Sequence, residues 1–326
     1  MATGAATPTD FRPIFIVGCE RSGTTLLASL FDRHSQVAAP PETQLFYDAT
    51  LAALARAAGG THAELMDTLL AQPRMADLQL DRGRVLARFE AHPAQVAWLY
   101  RAALEEYASS RGKPLVVEKT PQHLLHVAVI RRFFPQARFI CIVRDGRDVV
   151  LSLMKTGWTH KNPWLHGTMW RQQVELGLRL EQQHPDCFVR VHYEALLREP
   201  EHELTRLMRF IGLEFEPGQL DAQIETSVVP EWEKAWKGKA QEPLDPTRVA
   251  AWKRTANERE VWRMNATMGR QLRRFDYPDT SLDGCPPLTK LQYSLTGALY
   301  GIAFFRRLHA LAARAKKRFA AGSAVR

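Results

Sequence analysis

A loop suited to binding phosphate is the first chemistry that the sequence suggests. The run I-F-I-V-G-C-E-R-S-G-T-T-L-L at residues 14–27 reads as a buried strand, a loop bounded by Gly18 and Gly23, and the start of a helix. In such a turn, backbone N–H groups and the positive end of the helix dipole converge on phosphate oxygens. The glycine spacing is that of a Walker A loop, but Thr24 replaces its lysine and the positive charge is on Arg21. The loop therefore predicts phosphate binding without ordinary ATP hydrolysis, and glycines that serve packing alone are the alternative.

A second candidate anion site follows another apparent strand. Arg144 stands at the end of that strand, and Ser152 comes eight residues later, on a predicted helix. The two side chains can meet across the first turns of the helix, and a guanidinium with a hydroxyl suits a phosphate monoester. The alternative is a surface ion pair of Arg144 or Arg147 with Asp145 or Asp148. We prefer that alternative for Arg147 and Asp148 only.

Both segments resemble motifs of one enzyme family. R-S-G-T-T after a strand resembles the 5′-phosphosulfate loop of sulfotransferases that use 3′-phosphoadenosine 5′-phosphosulfate (PAPS), in which a lysine or arginine precedes S-G-T-T. The second segment resembles that family's 3′-phosphate motif, an arginine followed eight positions later by a serine. The resemblance implies that Arg144 and Ser152 hold the 3′-phosphate. It also implies that the 5′ end is bound by the loop residues Arg21, Ser22, Gly23, Thr24 and Thr25.

Glu42 is the candidate general base. It lies in A-P-P-E-T-Q, where the preceding proline restricts the backbone to extended geometry and helps to aim the side chain. The segment resembles the tyrosylprotein sulfotransferase-like branch, whose loop is followed at the same distance by E-T-R with a glutamate base. Glu42 and Thr43 match that pattern, whereas Gln44 replaces the arginine, which leaves open whether peptide tyrosine is the acceptor. A solvated loop acid is the alternative.

Lys119 is the candidate cation for the transferred group. The segment E-K-T-P closes an apparent strand and resembles the family's K-[DT]-P, so the resemblance implies that Lys119 acts beside Arg21. A position at the carboxyl end of a strand favours a ligand site, although Lys119 could instead only neutralise Glu118. Cytosolic sulfotransferases use a histidine two residues after this lysine. Pro121 occupies that place here, and nearby His123 is the fallback base.

Further contacts to the nucleotide are predicted from later segments. Tyr193, in V-H-Y-E-A-L, resembles the family's Y-E-x-L element, whose tyrosine contacts the nucleotide, and packing of its ring in the core is the alternative. Lys253 and Arg254 are candidates by position only. They lack the glycine-bearing pattern of cytosolic enzymes, and a solvated helix face explains them equally well.

Alternating strands and helices predict an α/β fold, a parallel sheet flanked by helices. We expect a flexible lead at 1–13, a sulfotransferase domain at 14–285 with a helical insertion at 46–112, and a C-terminal appendage at 286–326. The insertion either shapes the acceptor pocket or covers the sheet. The predicted strands are 14–17, 37–39 (the weakest), 115–118, 139–143 and 188–192.

Charge is concentrated in the C-terminal region. The 326-residue chain has a formal net charge of +9, with 44 basic and 35 acidic residues. Eight of the basic residues and no acidic residue lie in 290–326, which leaves 36 basic against 35 acidic residues in 1–289. A nucleic-acid groove normally distributes lysine and arginine over the folded body. The sequence therefore disfavours a nucleic-acid partner.

The cysteines and the N-terminus indicate the cytoplasm. The four cysteines are scattered and include no C-x-x-C pair, so we expect reduced thiols and neither a zinc site nor a disulfide framework. The first residues lack the basic and apolar regions of a signal peptide. We expect a cytoplasmic protein, and the catalytic cations take the role that magnesium plays in kinases, so no metal is expected.

The C-terminal appendage predicts an apolar helix with a basic end. Residues 291–305 carry no charge, which is too short a run to span a bilayer, and arginines and lysines follow. Leu291, Leu295, Leu299 and Ile302 form one helical row. Such a helix fits the inner, anionic surface of the membrane, with docking on the catalytic domain as the alternative.

The combined prediction is an enzyme that moves a sulfonyl group from PAPS to a hydroxyl acceptor and releases adenosine 3′,5′-bisphosphate. The acceptor class stays open among lipid, carbohydrate, phenol and peptide tyrosine. The rival enzyme is a P-loop nucleotide kinase or NTPase, which the missing lysine disfavours. A non-catalytic nucleotide- or membrane-binding module is the rival from another class.

Overall fold

A parallel five-stranded sheet forms the centre of the fold. The computed structural model describes residues 8–159 and 161–302, with the backbone alone at Lys239. The strands run in the order β2-β3-β1-β4-β5, and every pair is parallel. Each predicted strand is present with its ends moved by at most one residue, and the predicted fold class is confirmed. The strands are β1 (Ile14–Gly18), β2 (Val37–Ala38), β3 (Leu115–Lys119), β4 (Arg138–Val143) and β5 (Phe188–His192).

Helices cover both faces of the sheet. Four of them, α2 to α5 as named below, lie between β2 and β3, where the sequence predicts a helical insertion. The last helix continues to residue 302, where the described part of the chain ends. The helices are α1 (Thr24–Asp32), α2 (Asp48–Ala57), α3 (His62–Leu70), α4 (Arg82–Glu90), α5 (Val96–Ser109), α6 (Val127–Phe133), α7 (Gly146–Lys155), α8 (Pro163–Gln183), α9 (Tyr193–Arg198), α10 (Pro200–Ile211), α11 (Lys234–Lys237), α12 (Trp252–Thr255), α13 (Glu258–Arg274) and α14 (287–302).

Strand β1 divides the core into two layers because successive side chains point to opposite faces. Ile14 and Ile16 pack with α1, α9 and α10. Phe15 and Val17 pack with the opposite layer, which includes α5, α7, α8 and α13. All four side chains are almost completely buried, as expected for a strand covered on both sides.

The carboxyl ends of the strands all lie at one edge of the sheet, because the strands are parallel. The loop after β1 carries Arg21, β3 ends at Lys119, and Arg144 and Tyr193 directly follow β4 and β5. Strands β2 and β3 lie on one side of β1, and β4 and β5 lie on the other, so the strand order reverses at β1. Such a switch point is where open α/β sheets bind ligands.

Helix α14 has a docked face and an exposed face. Tyr293 and Tyr300 both pack against Trp164 of α8, and the Tyr300 hydroxyl accepts a hydrogen bond from Asn162 at 2.9 Å. The predicted leucine row is on the opposite face and is more than half exposed. Residues 303–326 of the predicted appendage and 1–7 of the predicted lead lie outside the described residues. In the described part of the chain, no helix has the length and apolar character needed to cross a bilayer.

Candidate active site

The loop between β1 and α1 presents main-chain N–H groups to a cavity. Gly18 has φ 149°, and a Cβ there would lie 2.5 Å from the carbonyl oxygen of Ile142. Gly23 precedes α1 with φ 99° and no side-chain cap, and a Cβ there would lie 2.4 Å from Cδ2 of Tyr193. Both positions therefore require glycine. The uncapped N–H groups of the first helical turn are therefore available to bind an anion.

Arg21 connects the two anion sites that the sequence predicts separately. It has φ 67°, an unusual backbone conformation for a residue with a side chain. Its Nε donates a hydrogen bond to Oγ of Ser152 at 3.1 Å, and its carbonyl oxygen accepts one from Nη1 of Arg144 at 3.4 Å. The buried hydroxyl of Ser22 and the buried Nε of Arg144 have no hydrogen-bond partner among the described residues. Buried polar atoms of this kind are normally satisfied, so they fit a site for a polar ligand.

Two guanidinium groups act on each other at this end of the cavity. Burial lowers the pKa of Arg21, and the nearby guanidinium of Arg144 lowers it further. Arg144 lies over the ring of Tyr193 at 4.3 Å and donates to the carbonyl oxygen of Arg248 at 3.1 Å. The carboxylate of Asp148 lies 3.6 Å from Arg144 Nη2, and burial raises the pKa of that acid. An anion placed here would be stabilised by two partly desolvated guanidinium groups.

Glu42 and Lys119 meet at the next part of the cavity. Glu42 follows β2, and its Oε2 lies 3.4 Å from Nζ of Lys119, which is completely buried. The same oxygen lies 3.0 Å from Nζ of Lys237. Burial opposes ionisation of Glu42, but Lys119 and Lys237 outweigh it, so the pKa of Glu42 falls to about 2. The carboxylate is therefore ionised at neutral pH.

Glu118 and Lys119 are adjacent in β3 and point to opposite faces of the sheet. The Oε1 atom of Glu118 accepts hydrogen bonds from the hydroxyls of Thr43 at 2.7 Å and Thr120 at 2.6 Å, and Oε2 lies 2.8 Å from Nδ1 of His123. Glu118 thus fixes the loop that carries Glu42. The alternative in which Lys119 only neutralises Glu118 does not match these contacts.

His123 has both ring nitrogens occupied. Its Nε2 accepts a hydrogen bond from the backbone N–H of Phe46 at 3.2 Å, so Nδ1 carries the proton and donates it to Glu118. The side chain is completely buried. In this arrangement the fallback base has no nitrogen available to an acceptor.

One cavity of about 530 Å³ connects most of these groups. Ser22 and Lys119 are completely buried and lie outside its lining. The predicted site residues that line it are Arg21, Gly23, Thr24, Thr25, Glu42, Arg144, Ser152 and Tyr193. Both anion sites and the candidate base therefore face the same space.

Comparison with known proteins assigns this chain to a family. A model of the sulfotransferase family matches residues 13–217. That match covers more than half of the chain. The chain belongs to the sulfotransferase family.

The relatives of this family member include two vertebrate proteins. It is 28% identical over 211 residues to protein-tyrosine sulfotransferase 1 of Danio rerio, which covers 63% of this chain and 54% of that protein. It is 27% identical over 209 residues to protein-tyrosine sulfotransferase 2 of Gallus gallus, covering 61% of this chain and 51% of that protein. The chain thus spans about half the length of these relatives.

The fold of this chain is also that of a solved domain. The sulfotransferase domain from the curacin biosynthetic pathway superimposes with a TM-score of 0.59 at 19% identity, covering 83% of this chain and 99% of that domain. At this identity the likeness establishes the fold alone. It agrees with the parallel sheet described above.

The structure corrects the prediction of a surface ion pair at Arg147. The predicted surface ion pair is instead a buried one, in which Nη2 of Arg147 lies 2.7 Å from Oδ2 of Asp145. Arg147 is completely buried and lies over the ring of Trp252 at 3.8 Å. The pair is buried because the segment around Trp252 covers the start of α7, and Trp252 itself donates to Asp145 at 3.1 Å.

Several residues that line the cavity were not predicted from the sequence, and two predicted candidates do not line it. Lys253 pairs with Asp279 at 2.7 Å and lies outside the lining, as does Arg254. Arg248, a few residues earlier, lines the cavity instead. The missed residues include Tyr47, Arg74, Trp232, Glu233, Trp236, Lys237 and Arg248. The only signal for part of this set was the i, i+4 spacing of Glu233 and Lys237 in an aromatic segment.

Proposed function

We propose that this chain is a PAPS-dependent sulfotransferase that transfers a sulfonyl group to an acceptor hydroxyl. The observation that carries the proposal is the convergence of two anion sites and an ionised carboxylate on one cavity. PAPS carries charge at two separate phosphate positions, and Arg21 and Arg144 offer two separate guanidinium groups. The unsatisfied Ser22 hydroxyl and the uncapped start of α1 also fit a phosphate-bearing donor.

We assign donor binding to residues on three strand ends. Arg21, Ser22, Gly23, Thr24 and Thr25 hold the 5′ end, where the N–H groups of α1 point. Arg144 and Ser152 hold the 3′-phosphate, and Tyr193 lies against the loop and under the Arg144 guanidinium. Binding the donor would release the hydrogen bond between Arg21 and Ser152 and give both side chains a charged partner.

We assign the transfer step to Glu42, Lys119 and Arg21. PAPS supplies a sulfonyl group whose bond to the 5′-phosphate oxygen breaks as the acceptor oxygen bonds to sulfur. Glu42 accepts the proton of the acceptor hydroxyl. Lys119 and Arg21 stabilise the oxygen that keeps the electron pair of the broken bond. The products are the sulfated acceptor and adenosine 3′,5′-bisphosphate.

Calorimetry with adenosine 3′,5′-bisphosphate tests the donor site. We expect binding to the full chain and a loss of about 10- to 200-fold in affinity for Arg144→Ala, since a charged hydrogen bond is worth about 1.5–3 kcal/mol. Arg209→Ala, an exposed arginine on α10, is the control and should bind as the wild type does. Absence of binding, or equal binding by Arg144→Ala, would reject the assignment.

The proposal requires an acceptor that carries a hydroxyl group, and an experiment can assign its chemical class. Aromatic side chains at the cavity mouth, Trp158 and Trp232, are about half exposed and offer a flat apolar surface. The names of the vertebrate relatives support peptide tyrosine, whereas Gln44 departs from their motif. Incubation with PAPS and a panel of lipid, carbohydrate, phenol and tyrosine-peptide acceptors, read by mass spectrometry for the added mass of SO₃, would assign the class. Donor binding without transfer to any acceptor would favour the non-catalytic alternative.

We also propose that residues 14–285 form the catalytic domain and that the C-terminal region binds an anionic membrane surface. The exposed side chains of Leu291, Leu295 and Leu299 form an apolar row on α14. A second cavity of about 500 Å³ beside this helix is lined by Arg171, Arg270, Arg273 and Lys290, and among the described residues no acidic side chain lines it. An apolar row beside basic groups is the pattern of an interfacial helix. This placement would put the enzyme at the inner face of a membrane.

Sedimentation with vesicles tests the membrane proposal. The triple variant Leu291→Ser, Leu295→Ser, Leu299→Ser should lose binding to vesicles that contain phosphatidylglycerol. Leu125→Ser, an exposed leucine elsewhere, is the control and should sediment as the wild type does. Binding of the wild type to phosphatidylcholine alone should be weaker, because the basic groups then have no anionic partner. Equal sedimentation of the triple variant would refute the proposal.

A further inference from the structure

The segment 231–240 forms one wall of the proposed active site. It consists of a turn at Glu231–Glu233, helix α11 and a turn at Gly238–Ala240. It lies beyond residues 13–217, which match the sulfotransferase family. Five of its residues nevertheless line the cavity: Trp232, Glu233, Trp236, Lys237 and Ala240.

Lys237 contacts the same carboxylate oxygen as Lys119. Its Nζ lies 3.0 Å from Oε2 of Glu42, and Lys119 approaches that oxygen to 3.4 Å from β3. Lys237 is also held from the other side by Oε2 of Glu233 at 2.7 Å. Arg74 in turn lies 3.0 Å from Oε1 of Glu233. The five groups therefore alternate in charge, and Glu42 lies between two lysines.

Burial makes these contacts significant. The side chains of Lys119 and Glu233 are 0% and 1% exposed, and those of Glu42 and Lys237 are 11% and 12% exposed. Charges with so little access to water interact more strongly than exposed ion pairs do. Glu233 fixes Lys237 in place, so the ammonium group is positioned before any ligand binds.

The same segment is also tied to the donor loop. Nη2 of Arg21 donates a hydrogen bond to the carbonyl oxygen of Trp236 at 3.2 Å. Trp236 immediately precedes Lys237 in α11. The arginine assigned to the 5′ end of PAPS therefore also holds the helix that carries the second lysine.

We propose that Lys237 is a positioning residue for sulfonyl transfer, which holds Glu42 ionised and oriented so that its other oxygen receives the acceptor proton. This inference rests on the proposed function, in which Glu42 is the base. Both lysines contact Oε2, and Oε1 is the oxygen we assign to the acceptor. Lys237 acts through Glu42, whereas Lys119 and Arg21 are assigned to the transferred group.

Other charged groups also face Glu42 and set the background for a pH test. Lys119 and Arg74 favour its ionised form, as Lys237 does. Glu20 opposes it, and its own pKa is raised by burial and by Glu42. Burial and the neighbouring acids raise the pKa of Tyr47, so its hydroxyl stays neutral. Removing Lys237 therefore removes one of the cations that contact Glu42, and the pKa of Glu42 rises.

The test compares Lys237→Met, Lys237→Arg and Lys234→Met in the full chain. Lys234 lies one turn earlier in α11, is exposed and pairs with Glu231, so it is the matched control. We expect Lys237→Met to move the acidic limb of the kcat–pH profile upwards by about 1 to 3 pH units, as expected for loss of one adjacent opposite charge. At neutral pH its kcat should fall about 10- to 100-fold, because the base is less well placed. Lys237→Arg should restore the acidic limb, and Lys234→Met should match the wild type.

A measurement that needs no turnover separates this inference from the proposed function. The pKa of Glu42 is followed by NMR of ¹³C-labelled carboxyl groups, with Glu42→Gln used to assign the signal. An unchanged Glu42 titration in Lys237→Met, or a superimposable pH profile, would overturn the role of Lys237. A wild-type protein that neither binds adenosine 3′,5′-bisphosphate nor transfers sulfonyl groups would reject the proposed function instead.

Discussion

Replacing Glu42 by glutamine removes the proposed base and keeps the shape of the side chain. Because a positioned general base contributes about 10²- to 10⁴-fold, we expect kcat to fall by that factor. The corresponding increase in the activation free energy is about 3 to 5 kcal/mol. Affinity for adenosine 3′,5′-bisphosphate should not fall, since Arg21 and Arg144 are unchanged and a nearby negative charge is removed.

The same variant should also be less stable, by an amount that the structure sets. The pKa of Glu42 falls from 4.5 to about 2 in the folded protein. This difference corresponds to about 3 kcal/mol of folding free energy. Because the folded-state pKa is lowered, the contribution is fully present above about pH 4.5 and is lost as the pH falls towards about 2. The difference in stability between the wild type and Glu42→Gln should therefore shrink over that interval.

Three measurements check these expectations: urea denaturation at several pH values, calorimetry of donor-product binding, and sulfonyl transfer. Glu20→Gln is a useful comparison for stability, because burial raises the pKa of Glu20. Its replacement should not reproduce the loss of stability at neutral pH. Full activity of Glu42→Gln would refute its role as the base. A stability difference that does not change with pH would refute the electrostatic explanation.

Three further variants test how the site is held in place. Gly23→Ala should weaken binding of adenosine 3′,5′-bisphosphate in calorimetry by 10-fold or more, on the order of 1–3 kcal/mol, because the added Cβ meets the ring of Tyr193 and the backbone φ is positive. Glu118→Ala should lower the free energy of unfolding in urea by about 3–5 kcal/mol, because it leaves several buried donors without an acceptor. Arg147→Met should cost a similar amount in the same assay, since Asp145 remains as a buried, unpaired carboxylate. Wild-type stability of either of the last two would contradict the buried networks.

The parts of the fold that the sequence predicted are those with a local signal. The loop after β1 is contiguous, and its glycines can be recognised from their spacing in the sequence alone. Short apolar runs similarly marked the strands, and their parallel order brought Arg21, Lys119 and Arg144 to one edge. Arg144 and Ser152 were recognised together because their eight-residue spacing resembles a family motif, and both line the same cavity.

The parts that could not be predicted depend on the path of long loops. Lys237 reaches Glu42 from 195 residues further along the chain, and no short-range pattern encodes that contact. Lys253 and Arg254 were chosen by approximate position, whereas the turn at Pro246–Arg248 places Arg248 at the cavity. His123 looked available in sequence because its partners, Glu118 and the Phe46 backbone, become neighbours only in the fold.

The two ends of the cavity differ in how far their charges are compensated, and this difference suits the proposed reaction. At the donor end, burial and the neighbouring guanidinium of Arg144 lower the pKa of Arg21, although Glu20 and Glu233 oppose that shift. An anionic donor bound between the two guanidinium groups would relieve their mutual repulsion. At the transfer end, carboxylates and cations already alternate around Glu42. A neutral hydroxyl can therefore enter there without bringing charge, and the step needs only the movement of its proton to a carboxylate that is already ionised.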